Sequence, residues 1–168
     1  MAPRSRPAGA FNFARRSEVT PRSASAALSG TKVMARSLDA LARANVELLA
    51  FTSSSYQQSF CFLVRQAELE RATEFLEEDL ALELAHGYLK PLQVDVQVGL
   101  IAVVGEGMRG TSGLAGRIFT AISRHQINII AIAQGSSELT IAIVVNRSGL
   151  EQAVRAVHEE CGLGGLTA

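Results

Sequence analysis

The sequence has few of the features that would announce a function directly. Its 16 basic residues are balanced by 16 acidic ones, so it has no excess of positive charge of the kind that nucleic-acid-binding chains carry. Only two cysteines occur, Cys61 and Cys161, and they form no CxxC pair. We expect reduced thiols in a cytoplasmic protein and no zinc site. No apolar run approaches the length of a membrane span, so neither nucleic acid nor a membrane is an expected partner.

Groupings typical of catalysis are missing as well. The histidines, His86, His125 and His158, are scattered along the sequence, and the serine run at 53–55 has no paired histidine and aspartate. The sequence therefore predicts no catalytic residue, no metal ligand and no bound cofactor.

Both ends of the chain differ in composition from its middle. Residues 1–30 are rich in arginine, serine and proline, with Glu18 as their single acid, so we predict a disordered tail. A plastid transit peptide would have a similar composition, and so would a linker or coding sequence joined to a domain whose original upstream part is gone. The glycine-rich residues 161–168 are predicted to form a second flexible tail.

The most structured pattern lies between residues 98 and 145. An apolar strand at 98–104 is followed by the glycine-rich loop 105–110, a helix, and two strands at 127–133 and 139–145. A glycine-rich loop before a helix leaves backbone N–H groups unpaired, and such groups suit a carboxylate or a phosphate. This loop is the first candidate for a binding site.

The upstream half repeats the same order of elements. We predict a helix from Thr31, strands at 46–51 and 59–64, an acidic helix at 68–84 and an extended segment at 92–98. The two halves align without a gap when Arg36 is placed on Arg117, and we call this constant displacement the repeat offset. Identical pairs at the repeat offset include Arg36/Arg117, Ala40/Ala121, Arg43/Arg124, Ala50/Ala131, Val64/Val145 and Leu69/Leu150. The chain therefore contains an internal repeat.

Each copy reads as strand, helix, strand, strand, helix, which with a closing strand gives a ferredoxin-like βαββαβ module. The predicted class is α+β, with antiparallel sheets and helices on one face, in modules at 31–96 and 97–160. The first module is expected to lack its opening strand, because no apolar run precedes Val33, and the second shows no evident closing strand. Unpaired strand edges favour association, so a homodimer through the sheets or a complex with another chain is expected.

Three motifs stand out in the second half of the chain: GLIAVVGEGMRG at 99–110, QINIIAIAQGSSE at 126–138 and AVRAVH at 153–158. They resemble the second ACT module of aspartate kinases, above all of the bifunctional aspartokinase–homoserine dehydrogenases. Residues 33–96 resemble the preceding module more weakly. The resemblance implies a regulatory region that binds threonine or lysine and restrains a kinase domain lying upstream. Nothing in this sequence resembles a kinase domain, so the chain is expected to act in trans or to be a gene fragment.

An amino acid needs hydrogen-bond donors for its carboxylate and acceptors for its ammonium group. The loop backbone supplies donors, amide side chains can do both, and the resemblance assigns effector contacts to the same positions. The predicted effector-binding residues are Gly107, Met108, Arg109, Gly110, Thr111, Ser112, Asn128 and Gln134. The alternative is a plain turn with interface packing, in a dimerisation module that binds no ligand. At the repeat offset the first module has Ser53 for Gln134 and Glu47 for Asn128, so its pocket is expected to be degenerate.

The loop also matches a dinucleotide-binding fingerprint, with glycines at 105, 107 and 110. That fingerprint expects an acidic residue at the end of the next strand to hold the ribose. Residues 130–134 are all uncharged, so a dinucleotide site is the less favoured alternative.

Overall fold

The structure is a computed structural model that describes residues 4–14, 30–53, 59–105, 108–136 and 139–161. It divides the chain into two compact units. One unit, the first module below, comprises Gly9–Val96. The other, the second module, combines Gln97–Ala168 with Met1–Ala8. No helix of the described residues is long and apolar enough to cross a membrane.

The first module packs helices on one face of an antiparallel pair of strands. Its elements are α1 (Gly30–Arg43), β2 (Leu48–Ser53), β3 (Ser59–Arg65), α2 (Leu69–Asp79) and the short α3 (Ala81–Ala85). Helix α1 forms because its buried residues Val33, Ala40 and Leu41 recur at helical spacing and make one apolar stripe. That stripe joins Phe60, Phe62 and Val64 of β3 in a single core. The helix predicted at 68–84 is interrupted at Leu80, between α2 and α3.

The second module repeats this arrangement. Its elements are β4 (Gln93–Val104), α4 (Leu114–Arg124), β5 (Ile129–Gln134), β6 (Thr140–Asn146) and α5 (Leu150–Glu160). Strand β6 pairs antiparallel with both β4 and β5, so it lies between them. Ile141, Ile143 and Val145 alternate along β6 and pack with Ile118 and Ile122 of α4. The antiparallel α+β class predicted from the sequence is confirmed.

Local irregularities recur at the repeat offset. The pairing of β2 with β3 shifts register between Leu48 and Ala50, and that of β5 with β6 shifts between Ile129 and Ala131. The only non-glycine residues with positive φ in the described chain are Asn45, at 51°, and Gln126, at 58°, which are counterparts as well. Bulges and left-handed residues depend on local geometry, so their recurrence means that the two modules share a detailed backbone plan.

The structure differs from the predicted disordered tail at residues 4–14, which form strand β1 (Arg4–Ala14). In the strand order β2-β3-β1, β1 takes the place beside β3 that β4 takes beside β6. The expectation that the first module lacks an opening strand is thereby corrected. Composition did not indicate this strand, because backbone hydrogen bonds to a neighbouring strand can stabilise a strand that has no apolar run of its own. The remaining predicted tail residues, 1–3, 15–29 and 162–168, lie outside the described part of the chain.

Strand β4 is another difference, because it is one continuous strand where the sequence suggested two extended pieces meeting at Val98. Its first five residues are exposed and the next four are buried. The division between the two units falls within it, between Val96 and Gln97.

Candidate functional site

A cavity of about 300 Å³ lies in the second module where the loop after β4, the start of α4 and the strands β5 and β6 meet. Its size is at the lower end of the range typical of small-molecule sites. It is lined by Met108, Gly110, Thr111, Ser112, Gly113, Leu114, Ala115, Gln134 and Ile141.

Backbone hydrogen bonds shape the loop that forms one wall of the cavity. The N–H of Gly105 donates to the carbonyl of Leu139 at 3.1 Å, which fixes the beginning of the loop beside the start of β6. The N–H of Met108 donates to Gly105, and that of Thr111 donates to Met108, each at 3.2 Å. Met108 is only 5% exposed as a result, and its thioether packs into the core of the module. These hydrogen bonds therefore hold the described part of the loop in place.

Glycine at position 113 sets where α4 begins. Gly113 is the N-cap residue with φ of 78°, a left-handed conformation that side chains disfavour, and its carbonyl accepts the N–H of Arg117 at 3.0 Å. No side chain caps the helix. The N–H groups of Leu114 and Ala115 belong to the first turn, so they have no acceptor within the helix. Both residues line the cavity, at the positive end of the helix dipole.

The sheet supplies the opposite wall. Gln134, the last residue of β5, is the cross-strand partner of Ile141 on β6. Ile141 is 1% exposed and gives the cavity an apolar floor, whereas Gln134 is exposed and brings an amide that can donate and accept. Thr111 and Ser112 add hydroxyl groups from the loop side. Donors and acceptors thus converge over an apolar floor.

No residue named in the described lining carries an ionisable side chain. A ligand carboxylate would be held by backbone N–H groups and the helix dipole, without a cationic partner in the lining. A ligand ammonium group would be met by amide, hydroxyl and carbonyl oxygens. Among the described residues there is also no group of histidine, cysteine and acidic side chains that could hold a metal ion.

The structure brings five of the eight residues predicted from the sequence to this cavity. They are Met108, Gly110, Thr111, Ser112 and Gln134. Arg109 is exposed and does not line it, and Gly107 lies outside the described residues. Asn128 is exposed and precedes β5, whereas Gln134 ends that strand, so a whole strand length separates them.

Four lining residues were missed by reasoning from the sequence. Gly113, Leu114 and Ala115 were missed because the helix was expected to start earlier, directly after the loop. Ile141 was missed because it reaches the site by strand pairing, although the antiparallel register opposite Gln134 could have indicated it.

The topology at the loop is not that of a dinucleotide-binding fold. Strand β6 lies between β4 and β5 and runs antiparallel to both. The dinucleotide fingerprint needs parallel neighbouring strands joined by a crossover helix. This geometry does not favour the dinucleotide alternative.

Comparison with known sequences shows which proteins this chain resembles. Residues 101–161 match the family described as the ACT domain. The bifunctional aspartokinase/homoserine dehydrogenase of Haemophilus influenzae is 41% identical over 115 residues, which is 68% of this chain and 14% of the relative. The chain thus spans about one seventh of the length of this relative.

Comparison with solved structures shows the fold over nearly the whole chain. The regulatory subunit of aspartate kinase from Thermus thermophilus matches with a TM-score of 0.74 and 20% identity, covering 95% of this chain and 97% of that one. Escherichia coli aspartokinase III in complex with lysine and aspartate matches with a TM-score of 0.61 and 20% identity, covering 94% of this chain and 32% of that one.

Proposed function

The chain carries an ACT domain and belongs with the regulatory regions of the aspartokinase family, and from this premise we propose that its second module binds a free amino acid. The observation that carries the proposal is the cavity at the start of α4. There Leu114 and Ala115, whose N–H groups have no acceptor within the helix, line the same cavity as Gln134 and the apolar Ile141. This arrangement provides separate partners for a carboxylate and for an ammonium group.

Among amino acids, the lining favours a small, neutral side chain such as that of threonine. The described lining is made of small, apolar or hydroxyl-bearing residues, which suit a methyl and a hydroxyl group. A lysine side chain would bring a second ammonium group, and burying it without a carboxylate partner is unfavourable. The lysine complex of aspartokinase III supports an amino acid as the class of ligand, and the described lining supports our proposal of threonine within that class.

We extend the proposal from amino-acid binding to the regulation of a kinase domain. The chain spans 14% of the length of the bifunctional relative. We propose that binding of the amino acid restrains a kinase domain that phosphorylates aspartate, in amino-acid biosynthesis. The bound effector would act by holding the loop 108–113 and the start of α4 together, since both line the cavity.

Association through strand β5 is the second candidate function. β5 ends the strand order of its sheet, contains no charged residue, and exposes Ile130 and Ile132 at 41% each. An uncharged, apolar edge strand favours pairing with another strand. We propose a homodimer that uses this edge, with Ile132→Lys as the variant that shifts the mass measured by light scattering from dimer to monomer. A wild-type chain that stays monomeric would contradict this second proposal.

Thermal unfolding with added ligand tests the first proposal. Threonine is expected to raise the melting temperature of the chain, because a ligand held at 100 times its dissociation constant stabilises the folded state by about 2.7 kcal/mol. Lysine and NADP are expected to give no shift at the same concentration. A shift with NADP alone would favour the dinucleotide alternative, and no shift with any amino acid would leave a module that serves association only.

A further inference from the structure

At the positions that correspond to the cavity lining, the described residues of the first module differ from those of the second in two features. The repeat offset gives the counterpart of each lining position. Leu114, Ala115, Gln134 and Ile141 correspond to Val33, Met34, Ser53 and Phe60, and residues 111–113 correspond to 30–32.

The first feature is the length of α1. Helix α4 begins at Leu114, whereas α1 begins at Gly30, almost one turn before Val33, the counterpart of Leu114. In regular helical bonding the N–H of Met34 donates to the carbonyl of Gly30. Its counterpart, the N–H of Ala115, lies in a first turn and has no acceptor within the helix. The extra turn of α1 therefore consumes a donor that the second module leaves available.

The second feature is an aromatic ring on the sheet. Phe60 replaces Ile141 and is 3% exposed. Its ring stacks on Phe51 with 6.2 Å between centroids, and Phe51 in turn contacts Phe62 at 5.1 Å. Such aromatic contacts stabilise a core beyond the area they bury. Position 51 corresponds to Ile132, which is 41% exposed, so the second module has no aromatic ring at this position.

Burial of the helix start agrees with these two features. Leu114 is half-buried at the edge of the cavity, whereas Val33 is 3% exposed and belongs to the core of the first module. Ser53 is exposed and its short hydroxyl side chain cannot reach as far as the amide of Gln134.

We infer that the ring of Phe60 and the longer α1 fill, in the first module, the space that the second module keeps open for a ligand. Where the structure describes the first module, the counterparts of the cavity lining then form closed packing in place of a ligand cavity. This inference concerns the packing of the first module and does not depend on which ligand the second module takes.

Thiol labelling measures the closure without any ligand. The native cysteines are first replaced with alanine, and for Cys61 this is the residue found at its counterpart, Ala142. In that background the Leu114→Cys thiol is expected to react rapidly with a maleimide. The Val33→Cys thiol is expected to react about 100-fold more slowly, because a buried group reacts only when the structure opens locally.

Removing the ring should open the first module. Phe60→Ile is expected to accelerate labelling of the Val33→Cys thiol by about tenfold or more, through local opening of the packed core. The matched control is Phe62→Ile, which truncates an equally buried ring whose counterpart, Ile143, does not line the cavity. That control is expected to change the rate by less than about twofold.

The reciprocal change keeps the test decisive if a first-module variant fails to fold. Ile141→Phe in the second module is expected to slow labelling of the Leu114→Cys thiol by about tenfold, because the larger ring fills the cavity. The inference would be overturned if the Val33→Cys thiol reacted as fast as the Leu114→Cys thiol while Phe60 is present. Equal acceleration by the Phe60 and Phe62 variants, or an unchanged rate in Ile141→Phe, would overturn it too.

Discussion

The guanidinium of Arg117 in α4 donates to the carboxylate of Glu160 in α5, with 2.9 Å between Nε and Oε1. Its counterpart in the first module, Arg36, donates to Asp79 at 3.2 Å, and Asp79 is the counterpart of Glu160. Each arginine also donates to the backbone carbonyl of the same acidic residue, at the end of its helix. In both modules the pair therefore joins two helices and satisfies a backbone carbonyl at a helix end.

Arg36 should contribute more to stability than Arg117, because it also contacts Glu83. Glu83 is 7% exposed, and its Oε2 is buried without a hydrogen-bond partner among the described residues. Arg36→Ala would leave this carboxylate without its cation and is expected to cost about 1–3 kcal/mol. Arg117→Ala removes a more exposed pair and is expected to cost about 0.5–1 kcal/mol.

Urea unfolding of the two variants measures this difference in the free energy of unfolding. Arg155→Ala is the control, because it breaks an exposed pair within α5 and is expected to cost less than about 0.5 kcal/mol. Equal losses for Arg36→Ala and Arg117→Ala would contradict the role assigned to Glu83.

Gln134→Ala is expected to weaken threonine binding by about tenfold or more, since in the proposed site this amide hydrogen-bonds the ligand. Asn128→Ala is the informative comparison, because the resemblance predicts a contact there and the structure places Asn128 away from the cavity. We expect the affinity of Asn128→Ala for threonine, measured by titration calorimetry, to match that of the wild type. A larger loss for Asn128→Ala than for Gln134→Ala would move the site away from the start of α4.

Two glycines of α4 should respond in opposite directions to the same substitution. Gly113→Ala forces a side chain into the left-handed region and is expected to destabilise the fold by about 1 kcal/mol and to lower the affinity for threonine. Gly116→Ala lies within the helix and is expected to stabilise it by about 0.5–1 kcal/mol. A new Cβ meets no atom within 4 Å at either position, so packing clashes do not confuse the result. Thermal unfolding measures both, and destabilisation by Gly116→Ala would contradict the assignment.

The cysteines give the chain a dependence of stability on alkaline pH. Burial raises the pKa of the Cys61 thiol and, opposed by the charge of Arg117, that of Cys161. An unfolded thiol has a pKa of about 8.5, so the folded state binds the proton more tightly. The free energy of unfolding contributed by these thiols is retained below that pH and falls as pH rises through the folded-state pKa.

Urea unfolding at neutral pH and at a pH above about 9 measures this loss, because the thiol of the unfolded chain is then ionised. Cys61→Ala combined with Cys161→Ala is expected to reduce the loss. An identical decline in the wild type and the double variant would show that other groups cause it.

The sequence predicted the repeat and the antiparallel α+β class because both depend on local patterns. Apolar spacing on α1 and alternation on β6 are visible in any short window, and the repeat offset follows from comparing such windows. Strand β1 was not predicted, because Arg4–Ala14 is stabilised by its neighbours in the sheet and not by an apolar run of its own.

The candidate site was predictable only in part, for a similar reason. The glycine-rich loop is contiguous in sequence, and Gln134 stood out as an amide that ends a strand. Ile141 enters through strand register, and the start of α4 depends on the backbone angle of Gly113, neither of which composition or periodicity expresses. We could infer that Phe60 closes its part of the first module only after comparing the two modules in three dimensions.

The most direct test of an amino-acid site in the second module is an amide chemical-shift titration of the isotope-labelled chain with threonine. We expect the largest shifts at the backbone amides of residues 110–115 and at the side-chain amide of Gln134, all approaching saturation with one dissociation constant. The counterpart amides at residues 30–34 and at Ser53 should stay in place. Saturable shifts confined to the first module, or no shifts in the second at millimolar threonine, would contradict the proposed site.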